Sequence, residues 1–463
     1  MVHQKEDFST ASDKLYGAAK ALKLSECLRK ANIQKEKGVC VFSLLMFLIQ
    51  LIFFNKNLFQ YLHSEYAEEL GFSKNTCYRF LCNESYNWKR LLLLVVTCFI
   101  AKITAIIHPD RPKTFILDDT PISKDRSKHC ELKARCFNHV NGQFYTGFTN
   151  LTLGWSDGFS FIPVGFNLLS SSDPEKIKNP ISLTIDKRTN AYKFRKEATM
   201  HKPDAAMKLI REAITNGIMA DYVLMDSWFT TAPLINQITA EGLDVIGMVK
   251  NGNHTYLYQG KALKINQLRK LIHRQKRDDE IIGDIVVQVH NNDRLIPAKL
   301  VYVVNRKKTS EYLAILSTNI NLTAEEIVQL YGRRWKIEEF FKTTKSLLKL
   351  GKECQSTNYG CLIAHTTIVY LRYVLIEFLR RNSKDKRTFG PLFRWLSDEM
   401  PDVSLKTALR LLMEIIIEIA DAVRNNFDEF RIIFNEIACQ VVETVAKFPR
   451  YIREELPKFT WES

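Results

Sequence analysis

Apolar positions change period along the chain, and each change predicts a different kind of element. Up to residue 108 the pattern is helical, with two long apolar runs at 39–54 and 91–107. Gln50 lies inside the first and Lys102 inside the second, so both predict buried helices of a helical region rather than membrane spans. At Pro109 the pattern turns to short β-branched runs. TFILDDT predicts a strand ending in Asp118 and Asp119, and residues 136–169 predict strands joined by turns at Asn141–Gly142 and Ser156–Gly158. Residues 171–202 are loop-like and basic. An amphipathic helix at 204–217, a buried-type strand closing on Asp226, a helix from Ser227 to Gly242 and a strand at 243–249 follow. This alternation predicts an α/β fold, a mixed sheet covered by helices. From 250 to 313 alternating runs and polar turns predict a β-rich insertion, with a basic stretch at Lys270–Arg277; YLAILSTN then returns as a strand. Residues 358–380 predict an apolar helix and 381–463 a helical, mixed-charge tail. The expected organisation is a helical region 1–108, a core at 109–249 and 314–380, the insertion 250–313, and the region 381–463.

The stretch 323–349 predicts one long helix. Thr323 and Glu326 form a capping box at its start. Leu330, Ile337, Phe340, Phe341, Leu347 and Leu348 make one greasy side. Tyr331, Arg334, Glu338 and Lys345 fall within an arc of roughly 60° at about 100° per residue, and Trp335, Lys342 and Lys349 extend that face. A solvated face of i,i+4 ion pairs has the same appearance; the wider chain decides between the two.

The 463 residues carry a formal charge of +15, with 46% hydrophobic and 25% charged residues. Those fractions are ordinary for a globular protein; the positive surplus suits a polyanion such as DNA. A helix ending at Gly71 and a second one capped by Ser73, with Lys74, Asn75, Tyr78 and Arg79 near its start, has the outline of a helix-turn-helix. Lys74 and Arg79 are its candidate DNA contacts. Ten cysteines occur without any C-x-x-C pair, which predicts reduced thiols in a cytoplasmic setting. His129, Cys130, Cys136 and His139 match no common zinc spacing, so no zinc site is expected there.

Three acids then stand at informative places. Asp119 and Asp226 close strands, and Glu338 lies on the cation-bearing helix face. Carboxylates gathered at the ends of parallel strands repel unless cations bridge them, and two Mg²⁺ ions suit in-line displacement at phosphorus. Asp118 competes with Asp119; Asp119 is preferred because the D-T-P strand-end pattern follows it, and because alternation would send Asp118 toward the core with Ile116, a poor place for a lone charge. Each acid alone also has a plain structural reading: Asp226 as a helix N-cap, Asp119 as a turn former.

Tyr331-x2-Arg334-x3-Glu338-x6-Lys345, in the wording YGRRWKIEEFFK, resembles the Y-R-E-K signature of DDE transposases of the bacterial insertion-sequence-four group, and LDDT and LMDSWF resemble that family's two aspartate strands. The resemblance covers about residues 110–350. It implies a ribonuclease-H-like fold with a β-rich insertion before the glutamate. The implied reaction is cut-and-paste: transposon ends are cleaved, often through a hairpin, and joined to target DNA. Asp119, Asp226 and Glu338 would hold Mg²⁺, with Mn²⁺ as a substitute. Tyr331, Arg334 and Lys345, with Lys342 beside them, would grip phosphates of double-stranded DNA. Tyr312 stands where a relative has a Trp that stacks on a flipped base. A homodimer on DNA and no membrane partner are expected. A ribonuclease-H-like nuclease and a non-catalytic DNA-binding regulator are the alternatives.

Overall fold

The computed structural model describes residues 11–63, 72–138, 142–181, 185–272, 280–291, 294–305, 308, 311–382 and 387–400. The expectations for Gly71, His139, Asn141, residues 273–277 and the tail beyond residue 400 lie outside the described residues.

Six helices come first: α1 (Ala11–Ala21), α2 (Leu24–Lys30), α3 (Val41–Gln50), α4 (Leu58–Leu62), α5 (Lys74–Leu81) and α6 (Trp88–Thr104). Both apolar runs are helices buried in protein, the first continuing as a 3₁₀ turn at Leu51–Phe54. Strands β1 (Thr114–Ser123), β2 (Ala134–Asn138), β3 (Gln143–Ser156) and β4 (Phe161–Leu169) follow, then helices α7 (Asn190–Glu197) and α8 (Lys202–Thr215). Next are β5 (Tyr222–Met225), α9 (Ala232–Ala240), β6 (Asp244–Val249), β7 (Thr255–Tyr258), β8 (Lys261–Lys264), α10 (Ile265–Leu271), β9 (Ile281–Asn291), β10 (Arg294–Val304) and β11 (Tyr312–Ser317). The last described elements are α11 (Ala324–Gly332), α12 (Trp335–Ser346), α13 (Tyr359–Asn382) and α14 (Phe389–Glu399).

All strands join one mixed sheet in the order β2-β3-β1-β5-β6-β11-β10-β9-β7-β8, with β4 alongside the second half of β3. Among the described residues only β1-β5 and β5-β6 are parallel. Antiparallel β4-β3-β1 followed by parallel β5 and β6, with helices on the faces, is consistent with a ribonuclease-H-like fold. The strands of the β-rich stretch do not stand apart: β11 pairs antiparallel with β6, and β10, β9, β7 and β8 carry the same sheet outward.

Helix α13 is the centre of the helical packing. From Cys361 to Phe378 every residue is buried, against α1, α3, α5, α6 and β4 among others. It is long and apolar enough to cross a membrane by length and composition, yet 94% of its apolar window is covered by protein. The N-terminal helices therefore share a hydrophobic core with the sheet. Arg372, 1% exposed, ties them further: its guanidinium donates to the Leu48 and Ile49 carbonyls of α3 and pairs with Glu353 at 2.7 Å.

Four expectations need correction. Residues 171–202 are not loop throughout: Asn190–Glu197 is a helix, begun by the Thr189 hydroxyl accepting from Tyr192 N. Strand β1 does not close at Asp119; its pairing with β3 runs on to Ser123↔Gly147. No helix starts at Ser227; residues 227–229 form a turn, and α9 begins at Ala232, with Pro233 in its first turn. The helix expected over 323–349 is two helices. At Arg333 and Arg334 the backbone bonds tighten to i→i−3, Arg333 N to Leu330 O at 3.0 Å and Arg334 N to Tyr331 O at 2.9 Å. Arg333 anchors this joint by donating to Pro112 O at 2.7 Å and packing on Gly158, where a side chain would meet the guanidinium and where φ of +87° favours glycine. The Thr323–Glu326 capping box is formed as expected.

Candidate active site

Strand register places the acids. β1 and β5 run parallel with Ile116 opposite Leu224 and Leu117 opposite Met225. One step on stand Asp118 and Asp226, where β5 stops and the sheet opens. Neighbours in register point to the same face of a sheet. On β1 that face carries Ile116, Asp118 and Thr120, and its β3 partners Asn150 and Thr152 hydrogen-bond the Tyr370 hydroxyl of α13 at 2.9 and 2.6 Å. Helix α12, carrying Glu338, covers this face beside α13.

The Y-R-E-K residues meet the acids here. Arg334 forks between two carboxylates: Nη1 donates to Asp118 Oδ2 at 3.3 Å and Nη2 to Glu338 Oε1 at 2.5 Å. Its buried Nε has no protein partner. The Tyr331 ring lies under the guanidinium, 5.7 Å from centroid to Cζ. Burial pushes its phenol up to about 12; Arg334 opposes the shift, and the charges of Asp226 and Asp118 add to it. Lys345 Nζ donates to Thr120 Oγ1 at 2.6 Å, two residues further along β1. Burial lowers the Lys345 ammonium from its ordinary value.

Asp118 is the most perturbed acid of the group. Burial, then the neighbouring Asp226 carboxylate, pushes it up to about 7, against the pull of the Asp119 amide and of Arg334. Asp226 accepts from Trp228 N at 3.0 Å and Phe229 N at 3.3 Å, so it also caps the turn that follows β5.

Asp119, the expected first ligand, points the other way. Its carboxylate pairs with Lys202 at the start of α8, and the Lys202 ammonium lies 4.0 Å from the Trp228 ring. The geometry thus gathers Asp118, not Asp119, with Asp226, Arg334 and Glu338. The lone-charge argument for Asp119 does not apply to this geometry: both faces of the sheet are covered, and the charge sent inward is not alone, since a guanidinium and a second carboxylate meet it. The usable signal was the phase of the strand pair, FILDD against VLMD.

The other expected DNA contacts lie elsewhere. Lys342 is exposed on α12. Lys74 and Arg79 are exposed on α5, with Lys74 Nζ 5.2 Å from the Phe59 ring. Tyr312 is half-buried at the start of β11, packed on Tyr302 at 5.4 Å. No three His, Cys, Asp or Glu side chains among the described residues are close enough to hold a metal ion as they stand. At the acid cluster the reason is visible: the Arg334 guanidinium lies between Asp118 and Glu338.

Residues 63–269 match the family model described as DDE superfamily endonuclease, and residues 185–359 match the one described as transposase DDE domain. The first span holds Asp118, Asp119 and Asp226; the second holds Asp226 and the whole of Tyr331, Arg334, Glu338 and Lys345. No curated protein matches the chain. With acids from β1, β5 and α12 facing one opening of a ribonuclease-H-like sheet, the two matches support a DDE transposase, a nuclease-type enzyme acting on DNA.

Proposed function

We propose that this chain is a DDE transposase of the insertion-sequence-four group. In this reading it cleaves the ends of its element, through a hairpin intermediate, and joins them to target DNA by two-metal phosphoryl transfer. The observation that carries the reading is the register of Asp118 and Asp226 on a face met by the Y-R-E-K helix.

Asp118, Asp226 and Glu338 are the residues that would hold Mg²⁺ or Mn²⁺. The donor set fits, being three hard carboxylates. Asp118 is raised by burial and by Asp226, a strain that a divalent cation relieves. Bound metal supplies a lowered pKa for the attacking water or hydroxyl and charge stabilisation for the leaving oxygen.

The chain's own residues do the rest. Arg334 has a phosphate-matching fork now turned on carboxylates, and an incoming phosphate competes for it. Movement of that fork toward DNA frees Asp118 and Glu338 together. Lys345 and Tyr331 flank it with a desolvated ammonium and a neutral phenol, both donors to phosphate oxygens. Asp119, held by Lys202, fixes the opposite face of β1 rather than the metal. Lys342, Lys74 and Arg79 serve as outer phosphate contacts, and Tyr312 as a base-stacking group. The active form is a homodimer on paired ends, in the cytoplasm.

The test is cleavage of labelled DNA carrying the inverted repeats that flank this coding region, with Mg²⁺ or Mn²⁺, wild type beside Glu338→Gln. Nicking at the repeat boundary by wild type alone is expected, and gel mobility identifies the hairpin. Specific binding without cutting by either protein would replace the reading with a regulator. Cutting without regard to the repeats would replace it with a plain nuclease.

A further inference from the structure

Three thiols meet away from the acid cluster. Cys354 lies in the loop from α12 to α13, Cys361 in the first turn of α13, and Cys82 at the C-terminus of α5. Cys354 Sγ and Cys361 Sγ are 3.7 Å apart, within non-bonded contact. Cys82 lies near enough to Cys361 for each to shift the other's proton. This arrangement differs from that of an isolated buried cysteine, because the thiols influence one another's protons. The neighbouring Cys361 pulls Cys82 down to about 7 and also lowers Cys354, with Lys124 helping at Cys354; Cys361 itself is raised. Cys354 and Cys82 therefore give up a proton more readily than Cys361 does.

The loop around Cys354 is held from several sides. Lys124, just after β1, donates to Gly351 O at 3.0 Å and to Cys354 O at 2.8 Å. Glu131 receives Tyr359 N at 3.0 Å and donates its own amide to Thr357 O at 2.9 Å. A small cavity of about 50 Å³ opens beside Cys354, lined also by Tyr78, Leu81 and His365. That is room for a molecule the size of water or a little larger. His365, whose buried Nε2 has no partner, gives this cavity a polar wall.

We propose that Cys354, Cys361 and Cys82 form a peroxide-reactive thiol site in which Cys354 is oxidised from the cavity and closes a disulfide with Cys361. The Cys354 thiolate attacks one oxygen of hydrogen peroxide. The S–O bond forms as the O–O bond breaks, and the hydroxide released takes a proton to leave as water. The Cys361 sulfur then attacks the Cys354 sulfenic sulfur; the S–S bond forms, the S–O bond breaks, and a second water leaves with the Cys361 proton. Two thiols are oxidised by two electrons and one peroxide is reduced to two waters. The bond ties the loop that leaves α12 to the core helix α13, beside the end of α5. It thus fixes the loop after the Glu338 helix onto α13, close to the end of the helix that carries the candidate DNA contacts Lys74 and Arg79.

The test uses the full chain, reduced, desalted and treated with one equivalent of hydrogen peroxide. Remaining thiols are alkylated and the digest is read by mass spectrometry. Exposed Cys40, whose thiol is lowered by backbone amides and whose described surroundings hold no second thiol, is the internal reference. A Cys354–Cys361 linked peptide is expected, formed about ten-fold faster than Cys40 is lost and reversed by dithiothreitol. In Cys82→Ser/Cys361→Ser, which keeps the volumes nearly unchanged, dimedone should label Cys354 with no disulfide formed. Full alkylation of Cys354 and Cys361 after peroxide, with Cys40 consumed first, overturns the proposal. So does one tightly held zinc per chain that protects these thiols until it is chelated.

Discussion

The two faces of the sheet at residues 118 and 119 hold the same side chain in opposite circumstances. Toward α12, Asp118 is buried beside a second carboxylate and shares one guanidinium with Glu338. Toward α8, Asp119 has a lysine of its own and remains a simple ion pair. One face is short of positive charge and the other is neutralised. A site built to receive a divalent cation must be of the first kind, since a fully paired carboxylate has nothing to gain from a metal.

The comparison is broken most directly by exchanging the acids for amides. Asp118→Asn is expected to lower cleavage by about 10³-fold or more, the loss of several kcal/mol of charge stabilisation; Asp119→Asn should keep most of it. Equal loss in both, or the reverse order, in the end-cleavage assay would erase the distinction between the faces. Arg334→Ala comes next. With the internal cation gone, the DNA-free chain should bind Mn²⁺ about ten-fold more tightly by calorimetry or spin resonance, while cleavage falls. Unchanged Mn²⁺ affinity would mean that the fork does not compete with the metal.

The third expectation concerns pH. Asp118 binds its proton more tightly folded than unfolded, so the metal-free protein gains stability from it below about pH 4. That gain is lost as pH rises toward about 7. The span is at most about 4 kcal/mol at ~1.36 kcal/mol per unit, and less for a side chain that water still reaches. Melting temperature followed from pH 4 to 7 in chelator should fall, and Asp118→Asn should flatten the fall where Asp119→Asn does not. Smallest is Lys202→Met: it removes the cation from the neutralised face and should change cleavage by no more than about three-fold. A large loss would give Asp119 a part in the chemistry after all.

Much of this molecule is legible in the chain because its signals are local. The capping box at Thr323 and Glu326 forms as its spacing dictates. The buried stripe Leu330, Ile337, Phe340, Phe341 and Leu348 follows from helical pitch. Alternating runs between 255 and 304 become strands, and the apolar runs become buried helices. What failed was mostly a question of partners. The end of β1 depended on β3, which keeps pairing after β5 has stopped. The joint at Arg333 depended on Pro112 and Gly158, more than 170 residues upstream.

The sequence by itself determined the kinds of elements, their order and the residue types of the site, because period, caps and turn chemistry act within a few residues. Which of two adjacent aspartates faces the glutamate is a matter of phase. Phase is set by which face of β1 the later helix α12 covers, and the local sequence of a strand covered on both faces does not contain it. Only the tertiary structure, by bringing α12 and β5 to the same side of β1, placed Asp118 rather than Asp119 on the side of Asp226 and Glu338.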